Sequence, residues 1–206
     1  MYQTSGRQAG APAAPRGTAR REAILHAAVA LIGEQGPDAL THRAVAERAG
    51  VSLSATTYWF SSKEEIFREA VALAAGEEVE RLEQLVLDLA PRHVTPAAWA
   101  RELSAALAAD VQHNPARPVA MYEFVLEASR EPELRDEVAR WETAHLRLAE
   151  AGLRAVGSAD PTTDAHIVVA VVSGLMLGLL ANPNPEFERH VMRPTLERLF
   201  ERLTSG

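Results

Sequence analysis

A polar cap followed at once by proline recurs along this chain, and it constrains the fold before composition does. Thr95-Pro96, Asn114-Pro115, Asp160-Pro161 and Asn184-Pro185 share the device, and Glu131-Pro132 is a looser case. Proline pre-sets a helical φ, and its missing N–H costs nothing in a first turn, so each pair reads as a helix start. The pairs divide the later chain into expected helices near 96–113, 115–129, 132–156, 161–181 and 185–203. Pro194 should kink or split the last. Upstream, Thr18 is expected to cap a first helix, with Glu22 near its positive end and Ile24, Ala28, Leu31 and Ile32 on one face. Gly36-Pro37 stops it. Thr41 and Gly50 bound a short second helix, and Ser52 caps a third near 53–60. Ser62 with Glu65 makes the capping box of a fourth, which runs to about Leu89 with a bend near Gly76. Strand alternation is almost absent and no repeat has a fixed period. The expectation is an all-α chain of about nine helices.

Residues 43–63 read RAVAERAGVSLSATTYWFSSK. Two short helices pinched around one glycine suit a helix-turn-helix, whose second helix enters a DNA major groove. The crossing needs a small residue, and Ala46 supplies it. Gly50 supplies the left-handed turn. Val45, Ala49 and Val51 seal the inner side, and Thr56 and Trp59 face inward from the third helix. Its outward face is then Ser52, Leu53, Ser54, Ala55, Thr57 and Tyr58. Small hydroxylated side chains allow close approach and donate to phosphates or base edges. Arg43 is the candidate for guanine, and Lys63, the chain's one lysine, for a phosphate at a helix N-terminus. Thr41 is a cap first and a phosphate ligand second. The plainer reading is that the pair only packs.

Net charge is −7, an apparent obstacle to a nucleic-acid partner, but it is unevenly spread. Through Lys63 there are seven basic and four acidic residues, or +3, which leaves −10 for the rest. A basic head on an acidic body suggests two tasks. Residues 1–17, rich in Gly, Ala and Pro, read as a disordered arm whose Arg7 and Arg16 are within reach of a phosphate backbone. The head is expected over 18–70 and the body over 71–206, sharing the fourth helix. No signal peptide is visible, and the chain has no cysteine, as suits a cytoplasmic protein.

The run ARREAILHAAVALIGEQGPDALTHRAVAERAGV followed by SLSATTYWFSSKEEIF resembles the TetR family of bacterial transcriptional regulators over roughly 19–70. TTYWFSSKEE is its most specific part. Ser54 stands where many relatives carry glycine, and Thr57 where a tyrosine is often found. The resemblance implies an all-helical homodimer. Its N-terminal three-helix DNA-binding domain would read an operator, and a long helix would join it to a helical ligand-binding and dimerisation domain. It implies a repressor released by a small-molecule effector. The alternative is an architectural or adaptor DNA-binding protein without effector control.

The larger side chains of the middle helices, Trp99, Leu103, Leu107, Met121, Tyr122, Phe124, Val125, Trp141, His145 and Met176, are the candidate walls of an effector pocket. Each taken singly reads first as core. Residues 167–181 are too short an apolar run for a bilayer, which asks ~20 residues, so no membrane partner is expected. Gly174 and Gly178, with Leu196, Leu199, Phe200 and Leu203, are the candidate dimer seam. Acidic groups such as Glu77-Glu78-Glu80 read as solvated helix faces. No catalytic or metal motif survives its spacing, and no cofactor or enzyme activity is expected.

Overall fold

The computed structural model describes residues 16–205. Of the expected arm at 1–17, residues 1–15 with Arg7 fall outside them, as does the side chain of Arg16. Nine α-helices and no strand occur among the described residues. They are α1 (Arg16–Gln35), α2 (His42–Ala49), α3 (Leu53–Trp59), α4 (Lys63–Leu89), α5 (Pro96–His113), α6 (Ala116–Ala128), α7 (Arg135–Val156), α8 (Pro161–Ala181) and α9 (Arg193–Thr204).

Local chemistry sets most of these ends. Thr41 Oγ1 accepts from Ala44 N at 3.1 Å, and Gly50 closes α2 at φ 66°, a conformation costly to any residue with a Cβ. Ser52 Oγ accepts from Ala55 N and Ser62 Oγ from Glu65 N. The capping box differs in its return bond. The Glu65 carboxylate accepts from Ser61 N, one residue beyond the cap, and also from Ser61 Oγ, both at 2.6 Å. Three other expectations are corrected. α1 already includes Gly17, so Thr18 lies inside the helix rather than capping it. Residues 132–134 form a 3₁₀ turn ahead of α7. After Asn184 the chain makes a π turn, Glu188–Met192, and α9 begins only at Arg193. Pro194 explains the last point, because it has no N–H to give to the preceding turn. α4 runs unbroken through Gly76.

Two buried clusters hold the chain together. The first joins Ile24, Leu25 and Ile32 of α1 to Val45, Phe60, Ile66 and Phe67, and extends to Met121 and Phe124 of α6. The Phe67 and Phe124 rings meet edge to face at 5.4 Å. The head therefore shares its core with α6. α1 and α6 touch backbone to side at Gly33, where an added Cβ would lie 1.9 Å from the Ala116 carbonyl oxygen. The second cluster gathers Leu89, Trp99, Leu153, Val168, Met176, Met192, Leu196 and Phe200.

That second cluster takes up most of the leucines and the phenylalanine read as a dimer seam. Leu196 and Phe200 are wholly buried within the subunit, and Leu199 and Leu203 are half-buried against the same core. α9 packs its apolar stripe on α5, so little of it remains for a partner. Gly174 and Gly178 do face outward on α8, in line with exposed Ile167 and Leu177. α8 is also longer than its apolar run. With Pro161–His166 included it has 21 residues, and its most apolar 18 have a mean hydropathy of 2.0, long and apolar enough to cross a bilayer by length and composition. Only 22% of its most apolar 18 residues are buried.

Candidate nucleic-acid interface and buried chamber

The α2–α3 pair crosses at Ala46, which is buried, and Val45 beneath it is fully so. Thr56 is also fully buried, and its Oγ1 donates to Leu53 O at 2.8 Å, within 3.4 Å of His42 O. This satisfied hydroxyl ties the start of α2 to the middle of α3. The remaining side chains of α3 must then point away. Ser52, Ser54 and Thr57 are exposed, Leu53 is 45% and Tyr58 79% exposed, and Ala55 is half-buried. Phe60 is core, as a closing aromatic should be.

Cations frame this face. Arg48 is not among the available ones, because its guanidinium forks onto Glu34 at 2.7 and 2.5 Å. That bond holds the Glu34 carboxyl below its usual range. Among the described residues no ion pair engages Arg43 or Lys63, and both are exposed, as is Thr41. A residue missed in the sequence is Arg20. It lines a cleft of about 520 Å³ with Gly17, Ser52, Ser54, Ala55, Tyr58 and Trp59. Trp59 is half-buried rather than core, its ring 3.6 Å from where a Cβ on Gly17 would stand. The Arg20-Arg21 doublet near the start of α1 was the signal for it.

A second concavity, of about 370 Å³, lies among α4, α5, α6, α7 and α8. Of the candidate pocket walls, Leu107, Met121, Tyr122, Val125, Trp141, His145 and Met176 line it. Trp99, Leu103 and Phe124 do not. Trp99 lies tight against Gly152, Leu103 packs on the second cluster, and Phe124 is sealed in the first. What the sequence concealed is the chamber's polar end. Glu78, read as solvated, is buried on α4 and aims at Arg81 and Arg117. Asp110 and Glu142 also reach the lining. Burying a carboxylate is costly unless it is paired, and two guanidinium groups provide the pairing. Tyr122 donates its hydroxyl to Ser173 O at 3.0 Å, which fixes its ring as a wall. The Trp141 indole N–H is buried and has no partner.

His145 stacks edge-on against Trp141 and donates from Nδ1 to the Trp141 carbonyl at 2.9 Å. Burial depresses its pKa below the usual 6.5, against the opposing pull of that bond and of Glu78, whose Oε1 is 3.8 Å from Nε2. The native chain thus holds a neutral imidazole where the unfolded chain, below that value, binds a proton. Stability should fall as pH drops through about 6.5. The urea midpoint of the wild type is expected to fall further between about pH 7 and about pH 5.5 than that of His145→Gln. Equal falls would remove His145 from the account. Among the described residues, no cluster of three or more His, Asp or Glu could hold a metal ion.

Comparison with known proteins covers both halves. A family model described as "Bacterial regulatory proteins, tetR family" matches residues 24–70. One described as "Tetracyclin repressor-like, C-terminal domain" matches residues 94–204. Over 164 residues the chain is 30% identical to the HTH-type transcriptional regulator BetI of Rhizobium meliloti (strain 1021), covering 77% of this chain and 76% of that protein. A TetR-family member from Streptomyces coelicolor A3 is 31% identical and superposes with a TM-score of 0.64, over 87% of this chain and 97% of that one. The multidrug binding protein EbrR, solved with imidazole, is 30% identical with a TM-score of 0.62, over 87% and 94%.

Proposed function

This chain belongs to the TetR family of bacterial regulatory proteins, and on that premise we propose how it works as a DNA-binding transcriptional regulator. It is a repressor. Two copies of α3 enter the major grooves of a roughly palindromic operator through Ser52, Leu53, Ser54, Ala55, Thr57 and Tyr58. Arg43 reads a guanine, and Thr41, Lys63 and Arg20 hold the phosphate backbone. The observation that carries this is the outward face of α3, left uncovered, with Arg20, Arg43 and Lys63 exposed and in no ion pair among the described residues.

The homodimer forms through the outward apolar face of α8, where Gly174 and Gly178 let a second copy approach and Leu199 and Leu203 border the seam. Such a face on a helix with few buried residues calls for a partner. The effector enters the chamber lined by Met121, Tyr122, Trp141 and Met176, and release follows from a changed setting of α4, which carries both a chamber wall and Lys63. A relative described as multidrug binding and solved with imidazole supports a small-molecule role for this chamber. DNA and effector affinities are then linked reciprocally, typically by ~1–3 kcal/mol. The functional division falls near residue 70, inside α4. The chain works in the cytoplasm, beside its DNA, as a regulator without catalysis.

Selection of duplexes from a random pool by the purified chain tests this reading. A single enriched site with two inverted halves is expected. Arg43→Ala should relax preference at particular base pairs, at ~1–3 kcal/mol each. A pool left at its input composition, even in dilute salt, would overturn the proposal.

A further inference from the structure

We propose that the chamber takes an organic cation anchored on Glu78, and that the Arg117 guanidinium is the built-in competitor such a ligand displaces. This rests on the reading of the chamber as the effector site and adds the chemistry it selects.

The Glu78 side chain is only 7% exposed, and its carboxylate holds two guanidinium groups of unequal grip. Arg81, three residues along the same helix, donates from Nε at 2.9 Å and from Nη2 at 2.7 Å, one bond to each oxygen. Such a paired fork is the strong arrangement. Arg117 arrives from α6 and adds a single Nη2 donor to the oxygen that already serves Arg81 Nε. Its Nη1 is 3.9 Å from Asp110, beyond hydrogen-bonding reach. Arg117 is therefore the exchangeable partner.

Charge and shape at the same end favour a cation. Glu78, Asp110 and Glu142 stand against Arg81 and Arg117, so with His145 neutral the lining carries one net negative charge. Withdrawal of Arg117 leaves two. An incoming cation restores the balance, whereas an anion meets three carboxylates and an Arg81 fork already filled. The Trp141 and Tyr122 rings and the Met121 and Met176 thioethers supply walls suited to a flat cationic body. Guanidinium is itself a planar organic cation, so the resident group outlines the ligand's charged end.

The displaced side chain has somewhere to go. Arg117 is also a wall of a neighbouring cleft of about 350 Å³ beside α1 and α4, which it shares with His26, Ala30 and Glu77. The residue before it, Ala116, is the one whose carbonyl seats against Gly33 of α1. Exchange at Glu78 thus occurs one residue from the contact that holds the reading head's first helix.

Fluorescence anisotropy of two dyes titrated with the full chain tests this. Proflavin is the planar cation and fluorescein the planar anion. Proflavin is expected to bind and fluorescein not to bind at matched concentrations. Glu78→Gln should weaken proflavin by about tenfold or more, and Arg117→Met should strengthen it by about tenfold, since the competitor is gone. Preference for fluorescein, absence of proflavin binding to both wild type and Arg117→Met, or proflavin affinities indifferent to both substitutions would overturn the proposal. The dye preference of the wild type needs no variant to fold. Duplex selection by the same dye-free preparation reports separately on the regulator reading.

Discussion

Gly33→Ala is expected to destabilise the chain by about 3 kcal/mol, although the same change at most exposed helix sites stabilises. The ideal Cβ would stand 1.9 Å from Ala116 O, 2.5 Å from its carbonyl carbon and 2.8 Å from its Cα. All three are backbone atoms at the start of α6, and no flexible side-chain end can move aside. Helix α1 or α6 must shift, and both contribute to one core through Ile32, Met121 and Phe124. Gly76→Ala is the control. That site is exposed on α4 and an added methyl there meets nothing within 4 Å, so a gain of roughly 0.5–1 kcal/mol is expected. Urea unfolding of the two variants reads both numbers. A Gly33→Ala chain as stable as the wild type would show that α1 and α6 are not seated as described.

Thr57→Glu should weaken duplex binding by about 100-fold or more while leaving stability nearly unchanged. Thr57 is exposed on α3, and its hydroxyl makes only two long bonds within its own helix, to Leu53 O and Ser54 O at 3.3 Å. Little folding energy is at stake there. The new carboxylate would face the phosphates and the electronegative major groove, and a dimer carries it twice. Titration of a selected duplex by anisotropy, with a melting curve for each protein, separates binding from folding. Unchanged affinity would mean that this face of α3 does not meet DNA.

Those two sites also show what the sequence disclosed and what it hid. The outward face of α3 was legible because its signals are local. Ser52, Gly50 and Thr41 act on residues two to four positions away, and Ala46 marks the crossing. Periodicity then placed Thr56 inside and Thr57 and Tyr58 outside. Nothing local announces the seat at Gly33, because its partner Ala116 lies in a distant helix. The same holds for Glu78. It stands among Glu77 and Glu80, and its neighbours suggest a solvated face. Its burial depends on Arg117, 39 residues away. Seven of the ten candidates line the chamber because large apolar side chains on middle helices must line whatever space those helices leave. Trp99, Leu103 and Phe124 were indistinguishable from them by type, and packing against Gly152, the second cluster and Phe67 took them elsewhere. Leu196 and Phe200 read as seam residues for a related reason, yet both are buried within the subunit. A periodic apolar stripe says that a helix is covered but not by which chain, and α5 covers α9 from within.

Dimethyl sulfate footprinting of a selected duplex reports whether α3 lies in the major groove. The reagent methylates guanine N7 in the major groove and adenine N3 in the minor groove. With α3 in that groove, guanine N7 is protected in two patches on one face of the duplex, separated by about one helical turn or a multiple of it, with adenine N3 between them left reactive. Protection confined to adenine N3, or guanines as reactive with the protein as without it, would mean that α3 does not enter the major groove.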